Sequence, residues 1–461
     1  MCRLSFLIVL LFTNIICFAG NVRHFYVNAF SNVEKSDGSI NAPFKSLNEL
    51  GKIQFRAGDC IYLAGNQILN GSIHIKDLKS TAEQPLIITS YGEGVSYIYS
   101  GNESAVLIES CENVCVKNIT VKGSGRKAGN MGSGVEGINS RFVEVDKVEA
   151  SGYLMNGIGF TGGGDIRITN SYAHDNGYNG IEITGEWGSK SVHNVYIGYC
   201  VAENNAGCPA ILDNHSGSGI LVGHATNTTI EFCEAMNNGW DMPRMGNGPV
   251  GIWGYESDKL TIQYCYSHNN KTSSRGIDGG GFDFDGGITN SVMQYNLSMN
   301  NEGSGYGLFQ FGGATEWSGN VISHNVSVDD GFKNSQSGIY VWCDPYNKDK
   351  HLCETKISDN LIISGFGHAI SFNTGYSTNL EFVDNIFVLK DESTDFLDGD
   401  ETKSQAIFKR NQYWSEVAEK QGKVQPQVKE ESNAHFEKKN YVIPTKVDVL
   451  KLKEIISNLL E

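Results

Sequence analysis

Asn156-Gly157-Ile158-Gly159-Phe160, Asn179-Gly180-Ile181-Glu182-Ile183 and Ser218-Gly219-Ile220-Leu221-Val222 are three copies of one short pattern: a polar residue, a glycine, then alternating side chains. It recurs as Val250-Gly251-Ile252-Trp253, Gly280-Gly281-Phe282-Asp283-Phe284, Tyr306-Gly307-Leu308-Phe309-Gln310-Phe311, Ser337-Gly338-Ile339-Tyr340-Val341 and His368-Ala369-Ile370-Ser371-Phe372. Between copies runs a second segment that ends in an Asn-rich turn, as in Tyr172-Ala173-His174-Asp175-Asn176, Ala202-Glu203-Asn204-Asn205 and Tyr266-Ser267-His268-Asn269-Asn270. Alternation with period two is the signature of a strand. Copies recur every twenty-odd to roughly thirty residues, the length of one solenoid coil, and no helical periodicity separates them. The expected fold is therefore all-β, a right-handed parallel β-helix. Asn tolerates left-handed backbone and stacks its amide from coil to coil, which accounts for most of the Asn in the turns.

The chain has 461 residues, with 54 Gly and 8 Pro. That is long for one globular core but ordinary where each repeat contacts only its neighbours. The net charge of −16 argues against nucleic acid or an anionic membrane surface as a partner. Residues 1–19 read as a secretory signal. Arg3 begins it, Leu4 to Phe12 are apolar, and Cys17-Phe18-Ala19 precede Gly20. A surface lipoprotein anchored through Cys17 is the alternative, with Ile16 a poor fit before it. No other segment is apolar enough to span a bilayer. A secreted or periplasmic monomer is expected.

Without Cys2 and Cys17, nine of the 11 cysteines remain. Cys343 and Cys353 flank a polar loop that a disulfide would close. Cys200, Cys233 and Cys265 each follow a strand at the same repeat position, which reads as a ladder of buried thiols and not as a metal site. Domain organisation follows: signal to residue 19, β-helix over 20–415, then a polar linker and a capping helix over 416–461. Val447, Leu450, Ile455 and Leu459 have helical spacing and would cover an open end of the solenoid.

One repeat differs from the rest. In Gly281-Phe282-Asp283-Phe284-Asp285, Phe282 and Phe284 point inward, so Asp283 and Asp285 point outward together, with Asp278 just upstream. Aligned on the glycine, the same outward positions elsewhere hold Glu182, Trp253, Tyr255, Phe309, Phe311, Tyr340 and Trp342. A pair of carboxylates within a ribbon of aromatics suits sugars, whose C–H faces stack and whose hydroxyls hydrogen-bond. Glycoside hydrolysis needs one carboxyl as acid and one carboxylate as base or nucleophile. Asp283 and Asp285 are the candidate pair, with Asp278 assisting. Glu182, His215, Arg244, Trp253, Tyr255, Arg275, Phe309, Tyr340 and Trp342 are candidate substrate contacts. No cofactor is required.

On these motifs, and on the entry segments Phe25-Tyr26-Val27, Asn41-Ala42-Pro43-Phe44 and Arg56-Ala57-Gly58-Asp59, the chain resembles secreted parallel β-helix proteins of the pectate-lyase-like superfamily. The resemblance covers roughly residues 23–415 and implies a carbohydrate substrate, with the fold better specified than the reaction. Polygalacturonase-like members use clustered Asp residues, but this chain lacks their adjacent Asp-Asp pair and their His-Gly and Arg-Ile-Lys signatures. A polysaccharide lyase is the rival. There Arg244 or Arg275 would serve as base, and the Asp residues would hold Ca²⁺ to neutralise a uronate. A non-catalytic glycan-binding β-helix is the third reading.

Overall fold

The computed structural model describes residues 22–333, 336–345, 349–374, 377–390, 396–399, 405–415, 441–444 and 446–460. The signal segment with Cys17 and the linker over 416–440 lie outside the described residues. The chain forms a parallel β-solenoid of about 12 turns. Most coils contribute three strands, and each strand pairs in parallel with its counterpart in the next coil. One of the three sheets carries the repeat pattern: Asn179–Thr184, Ser218–Gly223, Val250–Tyr255, Gly280–Asp285, Tyr306–Gln310, Ile339–Cys343 and Ile370–Thr374.

Register along this sheet follows the apolar alternation. Ile181, Ile220, Ile252, Phe282, Tyr306, Ile339 and Ile370 are paired coil to coil and fully buried. Phe282 and Tyr306 stack with centroids 5.4 Å apart. The Tyr306 hydroxyl, forced into the core, hydrogen-bonds the carbonyls of Asn296 and Val326 at 2.7 and 2.9 Å. A one-residue slip would expose all of these and bury the carboxylates, so the burial pattern fixes which face bears the site.

The turns hold two buried amide ladders. Asn176, Asn205, Asn238, Asn270 and Asn301 each donate Nδ2 to the Oδ1 of the next residue, ending at Asp330. A second row runs through Asn296, Asn325, Asn360, Asn385 and Asn411. Asn238 accepts from the Asn205 backbone N–H and side chain at 3.0 Å, and donates to Ala202 O and Asn270 Oδ1. Asn238→Ala strands all of these groups. We expect a loss of about 3 kcal/mol or more, read as a large drop in thermal midpoint, whereas Asn to Ala at an exposed turn would cost little.

Two expectations need correcting, and a third, the row of buried thiols, is met. Cys343 and Cys353 are not joined by a disulfide. Alternation turns Cys343 into the core, and Cys353 instead donates to the Trp317 carbonyl at 2.7 Å, so no bridge closes the loop. The C-terminal helix exists, as a 3₁₀ turn Val449–Lys451 capped by Asp448 and running into an α-helix Leu452–Leu460. It packs against the flank of the solenoid and not over its open end. Leu452, Ile456 and Leu459 join Leu297, Val326, Leu361 and Val388 from successive coils, and Lys453 sits 5.9 Å from the Tyr295 ring. The buried stripe is thus the i, i+4, i+7 set from Leu452, and Leu450 is exposed. Cys200, Cys233 and Cys265 are buried in a row, with each thiol donating to backbone carbonyls.

Candidate active site

Asp283 and Asp285 lie on one strand with their Cα atoms roughly 6.5–7 Å apart, as period two dictates. Asp283 pairs with Trp253 on one side and Gly307 on the other, and Asp285 with Tyr255 and Phe309. Here the glycine alignment slips by two residues. Tyr306, not the residue after Gly307, takes the inward place beside Phe282. Phe309 therefore shares a row with Asp285 and Trp342, and Gly307 one with Asp283 and Tyr340. Parity survives, so Phe309 still faces outward. Gln310 points inward and is fully hydrogen-bonded, to Gly287 N, Thr315 O and Lys350 O.

The aromatics do not form an open ribbon. Loops before the strands roof the carboxylates and enclose a cavity of about 500 Å³, lined by Asp278, Asp283, Asp285, His215, Trp253, Phe309, Phe311, Tyr340 and Trp342. Trp253 is 3 % exposed, anchored by its indole N–H on the Ser218 hydroxyl at 3.0 Å. His215 packs edge-on against Trp253 at 4.8 Å. Its burial, with the Arg244 charge nearby, holds its pKa down to about 4, so it is neutral at physiological pH.

Asp278 precedes the strand in left-handed backbone, φ 62°, followed by Gly279 at φ 84°. That turn swings its carboxylate into the cavity, where it accepts from Gly248 N–H at 2.7 Å and from Gln336 Nε2 at 2.9 Å. Asp283 is 2 % exposed and its Oδ1 has no hydrogen-bond partner. Burial, then the charges of Asp285 and Asp278, push its pKa well above the carboxylate range. Burial, then Asp278 and Glu256, push Asp285 up as well. Both carboxyls are thus biased toward their protonated forms. Gly307 leaves them room, since a Cβ there would come within 3.1 Å of Asp283 Oδ1 and 2.8 Å of the Phe309 ring.

The other candidates scatter. Tyr255 stands beside Trp253, 5.6 Å between centroids, at the cavity's margin. Arg244 is half-buried and close enough for its charge to act on His215 and Asp278. Glu182 lies three coils before Asp283, behind the apolar cluster of Leu221, Val250 and Trp253. It is held by Asn156 Nδ2 at 2.7 Å, and burial raises its pKa to about 7. Arg275 is exposed and lines a separate depression with Lys127 and Asp241, so it does not reach the carboxylates. Sequence reasoning missed Gln336, which carries no repeat signal of its own, and read Gly307 only as the glycine of its repeat, when it faces Asp283. Among the described residues no group of three or more His, Cys, Asp or Glu is arranged to hold a metal ion.

No protein-family model matches the chain, and no curated protein matches it. Solved structures do. A GH136 lacto-N-biosidase from Eubacterium ramulus aligns over 84% of this chain and 68% of its own, with 18% identity and a TM-score of 0.58. A mannuronic acid specific polysaccharide family 6 lyase from human gut microbiota covers 88% of this chain and 90% of its own, with 11% identity and a TM-score of 0.51. The catalytic domain of a GH87 α-1,3-glucanase in complex with nigerose covers 84% and 68%, with 9% identity and a TM-score of 0.51. At these identities the likeness is one of fold, the parallel β-helix. Hydrolases and a lyase share it, so the fold does not choose between those reactions. No helix among the described residues is long and apolar enough to cross a membrane.

Proposed function

We propose that this protein is a glycoside hydrolase acting on an extracellular or periplasmic oligo- or polysaccharide. The observation that carries the reading is the pair of outward carboxylates on one strand, Asp283 and Asp285, sharing an aromatic-walled cavity with a third, Asp278. Asp283, the most enclosed, retains a proton and serves as the acid that protonates the glycosidic oxygen as the bond breaks. Asp285, open to the cavity, acts either as the base that takes a proton from the water attacking the sugar carbon, or as the nucleophile at that carbon, with water then releasing the glycosyl-enzyme. Asp278, fixed by Gly248 and Gln336, supplies the charge that keeps one proton on the pair. Trp253, Phe309, Tyr340 and Trp342 offer ring faces and edges to the sugar. No step needs a metal.

The lyase reading draws less support, because among the described residues the cavity lining carries no Lys or Arg and Arg275 lies elsewhere; Arg244, half-buried near Asp278, is its remaining candidate base. A glycan screen with and without EDTA separates the reactions. New reducing ends without the ultraviolet absorbance of unsaturated uronates, insensitive to EDTA, support the hydrolase. Absorbance that needs Ca²⁺ establishes the lyase, and binding with neither product establishes a glycan-binding module.

Gly307→Ala tests the fit of the pocket. Its Cβ meets Phe309 and Asp283 with no space to spare, so Phe309 must shift. We expect kcat/KM to fall roughly tenfold or more with the thermal midpoint little changed.

A further inference from the structure

A second cavity of about 350 Å³ opens at the next corner of the solenoid, where Lys190, Glu256, Thr289, Thr315 and Glu316 converge. It is tied to the carboxylate cavity in two ways. Glu256, buried at the strand end after Tyr255, is one of the charges that raise the Asp285 pKa, and it also lines the second cavity. Phe311, in the wall of the first cavity, stands 6.2 Å from the indole of Trp187. Trp187 begins the loop whose next residues, Gly188, Ser189 and Lys190, line the second cavity.

Trp187 is the feature that demands an explanation. It is 71 % exposed, although its edge packs on His224 at 5.1 Å and holds it in place. A large aromatic ring fixed on one side and open on the other, between two polar cavities, is a stacking platform.

We propose that the substrate-binding surface continues from the carboxylate cavity across Phe311 and Trp187 into the Lys190 cavity, and that it takes an uncharged oligosaccharide long enough to occupy both. Trp187 then stacks the sugar unit between them. The Lys190 cavity supplies donors and acceptors for hydroxyls, from Thr289, Thr315, Glu316 and Lys190 itself. An acidic sugar is disfavoured, because Lys190 already hydrogen-bonds Thr289 at 3.0 Å and is faced by Asp258, Glu256 and Glu316. This assignment rests on the hydrolase reading for the first cavity, and it concerns length and charge of the substrate, not the reaction.

The test is binding without turnover. Full-length Asp285→Asn protein, with and without Trp187→Ala, is titrated by calorimetry. The probes are cello-, xylo-, malto-, chito- and galacto-oligosaccharides of two to six units, and oligogalacturonates of the same lengths. We expect one neutral series to gain at least tenfold in affinity from dimer to hexamer, and Trp187→Ala to erase most of that gain. A hexamer-to-dimer ratio unaltered by Trp187→Ala overturns the proposal, as does tighter binding of the oligogalacturonates or no binding by any series. Length-dependent binding through Trp187 in a protein whose wild type turns nothing over sustains the extended surface and sinks the hydrolase. Turnover with no Trp187 effect on the ratio does the reverse.

Discussion

Asp283→Asn and Asp285→Asn should each abolish turnover while leaving sugar binding in place. An acid or base in the transition state contributes about 10²–10⁴-fold, and loss of a nucleophile costs at least as much, so kcat should fall at least a hundredfold in either variant. The two differ in detail. Asp283→Asn removes the proton donor, so a substrate with a good leaving group, such as a nitrophenyl glycoside, should recover much of the rate. Asp285→Asn should gain little from a better leaving group, and small anions such as azide should rescue it if Asp285 attacks the sugar carbon directly. Because burial and the neighbouring carboxylate charges keep the pair protonated, the alkaline limb of the kcat/KM profile should lie above the range of an ordinary carboxylate. Near-wild-type rates in both variants would remove these residues from the chemistry.

The same substitutions should stabilise the protein. Asp283 and Asp285 bind protons more tightly in the folded chain than in the unfolded one. Between the ordinary carboxylate pKa of about 4 and the raised folded values, the native state holds the extra protons, so unfolding free energy falls as pH rises through that window. At neutral pH the wild type carries this penalty, and Asp283→Asn, nearly the same shape and uncharged, removes the part that belongs to Asp283. A gain of about 2 kcal/mol near neutrality, shrinking to nothing below about pH 4, is expected. Thermal midpoints of wild type and variant measured across pH decide it, since parallel curves would show that the carboxylates carry no such strain. A variant that loses activity and gains stability separates a functional carboxylate from a structural one.

How much of this was legible in the sequence depends on periodicity. The coil order, the inward isoleucines, the Asn and Cys rows and the outward parity of Asp283 and Asp285 all follow from alternation with period two. The resemblance to parallel β-helix proteins of the pectate-lyase-like superfamily rests on those motifs and on the entry segments, and the fold agrees with it. What escaped lies where no period runs. The roof over the acids comes from His215, Gly248 and Ile277, in insertions whose path is set by their own hydrogen bonds. The slip at Tyr306 arose because glycine was taken as the register mark, when the inward pair Tyr306 and Leu308 carries it. Arg275, three residues from Asp278, instead lines the depression with Lys127 and Asp241. The helix at the chain end was visible as a helix, but where it docks depended on Leu297, Val326 and Val388, outward apolar residues in coils far from it in sequence.

The amide row that ends at Asp330 has a direction. In every member one side-chain N–H is donated to the later coil, while the next residue's oxygen accepts from the earlier coil, so the row runs one way from Asn176 to Asp330. The last donor is Asn301, and it meets a carboxylate. Asp330 takes the Asn301 backbone and side-chain N–H on one oxygen and the Ser327 hydroxyl on the other. Those donors favour its charge, yet burial still lifts its pKa to about 6. Asp330 is therefore a terminator: its side chain has no N–H to pass on, and it closes the row. A coil duplicated anywhere between Asn176 and Asn301 would lengthen the wire without breaking it. One inserted after Asp330 would lie beyond the wire, as the coils carrying Ile339–Cys343 and Ile370–Thr374 already do.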